Sequence, residues 1–355
     1  MDEDAAVLTC YVRERHRVGA RVPGGELIDL YERRSVAASV LLRSFEGYGP
    51  GQPPSGGRVL QLYEDPPLAA VAVDTWPRID AVLGEVTGLA QSRFITLQRA
   101  RLLSGEIGRL WLGESSSEAT RLTIYCGPAD SVYMVPAFEV ACELLYRRGV
   151  AGATVLPAVD GTAGGLRHRA QFLRPGADAP LMVVAVGSGE RIAMVLPELG
   201  GLFRRPLMTV AKVRLCKRDG QLISRPEALP GTEAEAEPGG MALRLKLTLY
   251  TSEAARHDGQ PVHRAVVRRL RSAGVSGATS QRGTWGYHGD HAPHGGGHLP
   301  PHGRHVPVVT TVIDVPERIG AAFDIIDALT PGRSLVTAET VLIPEPARVR
   351  ADHES

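Results

Sequence analysis

One pattern is written into the chain three times, with its landmarks at matching offsets. Leu8-Thr9-Cys10-Tyr11, Leu122-Thr123-Ile124-Tyr125 and Leu247-Thr248-Leu249-Tyr250 each open a segment, and Val36, Val150 and Val275 follow 28 residues after the first Leu. Gly47, Gly161 and Gly286 lie eleven residues further on, and Pro67 to Ile79, Pro180 to Ile192 and Pro307 to Ile319 each span 12. Origins 114 and 125 residues apart exceed any solenoid or propeller period, so each unit has the size of a small domain.

Within a unit the periodicity alternates between two and three-to-four. In the second, Leu122, Ile124 and Cys126 alternate with Thr123 and Tyr125 as in a half-buried strand. Phe138, Ala141, Cys142, Leu144 and Leu145 then recur at helical spacing from Pro136 until Gly149. Val150 to Leu156 and the apolar run Leu181 to Val186 predict two more strands, and Ile192, Val195, Leu196 and Leu199 a second helix. A short strand at Thr209 to Val213 closes the unit.

The helices expected in the first unit are Glu26 to Arg34 and Pro77 to Leu89, and in the third Pro261 to Ala273 and Pro316 to Leu329. The order βαββαβ predicts an α+β chain of three tandem ferredoxin-like domains. A sheet covered on one face only leaves the other open, a liability that three tethered copies could relieve by packing together as an intramolecular pseudo-trimer.

Composition narrows the function by exclusion. A net charge of +1 over 355 residues gives no bulk attraction to nucleic acid or anionic membrane. The cysteines Cys10, Cys126, Cys142 and Cys216 form no CxxC pair and read as packed thiols. No apolar run reaches the 18 or so residues of a membrane span, and the acidic Met1-Asp2-Glu3-Asp4 is unlike a signal peptide, so a cytoplasmic location is expected. Without a Gly-x-Ser-x-Gly elbow, a HExxH helix or a Walker Gly-Lys-Ser/Thr, the chain reads as a binding protein and not an enzyme; Glu46 and Asp160 read as solvated turn residues.

Leu122-Thr123-Ile124-Tyr125-Cys126-Gly127, the run from Glu143 to Leu156, and Glu190-Arg191-Ile192 with Leu196-Pro197-Glu198-Leu199 resemble the uncharacterised PII-like family of domain of unknown function 190. The resemblance is most specific over residues 121 to 216 and extends through the internal spacing to 6 to 102 and 245 to 343. The expected boundaries are a first repeat at 1–102, a linker at 103–120, a second repeat at 121–217, a flexible linker at 218–242, a third repeat at 243–345 and a tail at 346–355.

The resemblance implies trimeric assemblies that bind small effectors between units and signal to partners through a long loop after the second strand. Neighbouring transporter or channel genes in that family imply a membrane transporter as partner. The family's Gly-aromatic-Gly turn is kept as Gly47-Tyr48-Gly49 but altered at Gly161-Thr162-Ala163 and Gly286-Tyr287-His288, so the three clefts should differ.

Two constellations could carry chemistry. Glycines at the loop base with nearby arginines suit a phosphate: Gly47, Tyr48, Gly49 and Arg58 in the first unit, and Gly161, Gly164, Arg167, His168 and Arg169 in the second. The expected effector is an adenine nucleotide. The other constellation is a His/Gly/Pro tract, 288–305, holding six of the 11 histidines: His288, His291, His294, His298, His302 and His305. Neutral imidazoles suit nickel, zinc, cobalt or copper, giving an alternative role in metal binding or sensing.

Overall fold

The computed structural model describes residues 2–13, 23–49, 67–89, 94–108, 110, 112, 117–127, 130–163, 166–169, 180–227, 241–288, 292–295, 306–330, 332 and 334–344. The first third contains β1 (Asp2–Arg13), α1 (Pro23–Arg33), β2 (Ala38–Arg43), β3 (Glu46–Tyr48), β4 (Pro67–Thr75), α2 (Trp76–Leu89) and β5 (Phe94–Ser104). The second contains β6 (Glu118–Cys126), β7 (Ser131–Val132), β8 (Val135–Pro136), α3 (Ala137–Arg147), β9 (Gly152–Ala163), β10 (Leu166–Arg169), β11 (Leu181–Gly187), α4 (Gly189–Leu202), β12 (Leu207–Arg218) and β13 (Gln221–Leu222). The last contains β14 (Met241–Ser252), β15 (Arg256–His257), β16 (Gln260–Pro261), α5 (Val262–Ser272), β17 (Ala278–Arg282), β18 (Trp285–His288), β19 (His294–Gly295), β20 (Pro307–Asp314), α6 (Pro316–Leu329) and β21 (Leu335–Pro344).

The helices fall where three-to-four spacing predicts them, each with its apolar stripe buried. Leu27, Ile28, Leu30 and Tyr31 of α1 are covered, as are Ile192, Val195, Leu196 and Leu199 of α4. Ser188 caps α4 by accepting from Arg191 N.

The expected three ferredoxin-like domains, and the pseudo-trimer built from them, are overturned by the sheet. Its 17 strands form one continuous antiparallel system, with six helices among the described residues and no division into three separate sheets. The pairing closes on itself as a β-barrel: β1 to β4, β4 to β2, β2 to β9, β9 to β11, β11 to β6, β6 to β12, β12 to β5, and β5 back to β1; β21 joins it at β12 and β5 and carries β14 and β20 alongside, so that the third repeat faces the same interior.

The physical reason lies at the strand edges. Alternation along a sequence reports the two faces of a strand, whereas an exposed edge leaves a row of unpaired N–H and C=O groups that another strand can satisfy. Here β2 and β3 of the first repeat, β9 of the second and β17 and β18 of the third find those partners in a neighbouring repeat. The last strand of the second repeat, expected over five residues, runs for 12 because it pairs with β6, β5 and β21.

Burial follows the same plan. Three clusters lie between helices and sheet, one mainly in each repeat. A fourth joins all three across the barrel, from Val7, Val40 and Val71 through Tyr125 and Val184 to Tyr250 and Val309. All four cysteines are buried and none forms a disulfide, and burial raises Cys142 and Cys216 to about 12, which keeps those two as protonated, packed thiols.

Candidate functional site at the repeat junctions

The triplicated glycines sit at three seams. Gly47 pairs with Thr279, Gly161 with Val40 and Gly286 with Thr154, so the first repeat docks on the third, the second on the first and the third on the second. A Cβ on Gly47 would lie 2.7 Å from Ala278 O. One on Gly161 would press into Ser39 O, and one on Gly286 into Ala153 O, both at positive φ. These glycines let two backbones approach closely. Gly49 lies at the same seam as Gly47, against Gly277.

The seam between the second and first repeats holds the expected arginines, already engaged. The β10 hairpin folds back on β9, with Arg167 opposite Thr162 and His168 opposite Gly161. Arg167 donates to Asp160 (Nε 3.1 Å, Nη2 2.9 Å), to Asp29 (2.6 Å) and to Glu32 (2.8 Å) on α1. Arg169 also donates to Asp160 at 2.9 Å, and His168 lies on the hairpin close to Gly127 and Asp130. Bonds to Asp160, Asp29 and Glu32 outweigh partial burial and raise the Arg167 pKa. Three carboxylates against two guanidiniums leave this seam unfavourable for an added phosphate.

The seam between the third and second repeats is filled by aromatic rings. Tyr287 is buried, donates to Val150 O at 3.1 Å and meets Tyr146 edge-on at 5.2 Å. Trp285 packs against the core of the second repeat.

The seam between the first and third repeats differs from both. Glu46 and Tyr48 of β3 pair with Ser280 and Ala278 of β17. The buried Glu46 carboxylate lies 3.8 Å from His263 Nε2 and 3.9 Å from Arg264 Nε, both on the first turn of α5. Phe45 stands edge-on to His263 at 5.0 Å, and the Arg282 guanidinium lies 4.6 Å from its ring centre. Arg282 also donates to Glu253 at 2.6 Å.

Burial, with help from Arg264, Arg282 and Arg256, depresses His263 to about 4, so it is neutral. Among the described residues, His263 Nδ1 and Glu253 Oε2 are buried without a hydrogen-bond partner; at the other end of α5, Tyr48 Oη is likewise unpaired. Three arginines face two carboxylates around one neutral histidine.

Sequence reasoning missed Phe45, Glu46, His263, Arg264 and Arg282. Glu46 and Asp160, read as solvated turn residues, are instead 7% and 3% exposed, because both lie in strands at seams. Their common place immediately before the repeated Gly47 and Gly161 was the available signal. Arg58, Gly164, His291, His298, His302 and His305 lie outside the described residues. His288 pairs with Gly152, and His294 lies opposite Gly286 on the β18–β19 hairpin. Among the described residues no group of three or more metal-ligating side chains is assembled, and no helix is long and apolar enough to cross a membrane.

A family model, domain of unknown function 190, described as an uncharacterized ACR, matches the chain three times, at residues 5–102, 119–215 and 244–343. The matches coincide with the three repeats that meet at these seams.

Proposed function

We propose, on the premise that the chain belongs to the family of domain of unknown function 190, that it is a PII-like regulatory protein binding a small anionic effector of the adenine-nucleotide class at the seam of the first and third repeats. The observation that carries this reading is the cationic excess of Arg256, Arg264 and Arg282 over Glu46 and Glu253, beside a buried imidazole whose Nδ1 lacks a partner. Forked guanidiniums suit phosphate oxygens, and unengaged polar atoms give a ligand hydrogen bonds to complete. The other two seams favour it less, one being closed by carboxylates and the other by aromatic rings.

Signalling would run through the segment that follows Gly49 in the sequence and carries Arg58. Effector contacts would shift its population towards the form that a partner, such as a membrane transporter, accepts. The test is calorimetric titration with ATP, ADP, AMP and cyclic nucleotides, with Arg264→Ala/Arg282→Ala as the site variant and Arg147→Ala as control. A selective ligand should lose at least about tenfold in affinity in the double variant, since charge-assisted hydrogen bonds contribute about 1.5–3 kcal/mol each. Equal affinities in all three proteins would remove the site.

A second reading, divalent-metal binding by the His-rich tract, draws on the β18–β19 hairpin, which holds both His288 and His294. Replacing all six histidines by alanine should abolish nickel or zinc binding and leave nucleotide affinity intact.

A further inference from the structure

The inner wall of the barrel carries a charge imbalance. Val7, Thr9 and Tyr11 of β1 project inward at alternate positions, and the same places are taken by Arg121, Thr123 and Tyr125 in β6 and by Lys246, Thr248 and Tyr250 in β14. Opposite the first position of each set, Gln98 pairs with Val7, Ala211 with Arg121 and Glu339 with Lys246. Tyrosine and threonine are thus kept in all three repeats, whereas one interior layer has diverged into two cations, one carboxylate and one amide.

These groups form a single network. Arg121 Nη1 donates to Glu339 Oε1 at 2.7 Å and Nη2 to Gln98 Oε1 at 2.8 Å. Lys246 Nζ lies 2.6 Å from the same Glu339 Oε1, and Gln98 Nε2 donates to Oε2. Arg121 is 8% exposed and Glu339 2%. One residue pair nearer the barrel end, the half-buried Arg244 donates to Leu243 O and adds no carboxylate.

We propose that this layer binds one small monovalent anion of the halide type, held by Lys246 and Arg121 inside the barrel. A buried cation without a counter-charge costs several kcal/mol, and Arg121 cannot relieve that cost by losing its proton. Lys246 spends one ammonium donor on Glu339 and keeps 16% of its side chain accessible, which leaves donors and room beside it. Arg121 Nε is buried and lacks a hydrogen-bond partner among the described residues, the mark of a charge not fully compensated. Tyr11, Tyr125 and Tyr250, beyond the threonines, are held neutral by burial and so add no negative charge to the interior. Burial also biases Lys246 towards the neutral amine, and a neutral amine would need no anion.

The experiment compares melting temperatures of the full chain in sodium chloride, sodium bromide and sodium gluconate at equal ionic strength, and locates bromide by anomalous diffraction. A bound halide raises the melting temperature saturably, while gluconate does not. Lys246→Met removes one cation, and Ala211→Glu places a carboxylate opposite Arg121; both should erase the halide response, the second without deleting any existing contact. A bromide peak within hydrogen-bond reach of Lys246 Nζ completes the expected result. The same melting temperature in chloride and gluconate, a response that survives in both variants, or bromide found only on the outer surface would overturn the proposal.

Discussion

At the scale of residues, a single methyl group distinguishes a seam that closes from one that cannot. Gly161→Ala places its Cβ against Ser39 O at a positive φ, so destabilisation of at least about 3 kcal/mol is expected by chemical denaturation. Gly84→Ala is the control, because nothing lies within 4 Å of that Cβ in the helix α2. His263 gives a pH signature. Its folded value of about 4 lies below the ordinary 6.5, so the unfolded chain binds the proton more readily. Its contribution is therefore complete above about pH 6.5 and is lost as the pH falls towards 4, to the order of 3 kcal/mol. His263→Phe, which copies Phe138 of the second repeat, should flatten the stability profile over that interval.

At the scale of elements, equivalent hairpins carry different turns. In β15–β16 the positive-φ positions are Asp258 and Gly259, which suit a two-residue type I′ turn. The matching positions of β7–β8 are Tyr133 and Met134, also at positive φ and 97% and 95% exposed. Tyr133→Asp/Met134→Gly should raise the stability by about 1 kcal/mol, read as a shift in denaturation midpoint with an unchanged slope. The helices were legible in the sequence, because periodicity reports them directly. The engagement of Arg167 was not, since Asp29 and Glu32 lie 138 and 135 residues earlier in the chain and reach it only through strand pairing between repeats.

At the scale of the whole molecule, one sheet and one shared interior tie the repeats together. A single cooperative calorimetric transition is expected for the intact chain, with the calorimetric and van't Hoff enthalpies equal. Residues 119–215 produced alone would expose Tyr125, Met182 and Val184 and the unpaired edge of β9, and should aggregate or remain unfolded. Three independent melting transitions would contradict this account.

The sequence alone determined the number of repeats, the six helices and the strand face that packs against them, because these depend on local spacing; the other face, read at Thr123 and Tyr125 as that of a half-buried strand, is buried too, since it lines the shared interior. It also indicated that the cysteines pack as thiols. Tertiary structure decided which edges pair, and so replaced separate domains by a closed barrel. It also turned the repeated glycines into points of backbone contact and placed Arg121, Lys246, Glu339 and Gln98 in one interior layer. An unpaired edge and an unbalanced charge are satisfied by whatever arrives from elsewhere in the chain, and local pattern carries no record of what arrives.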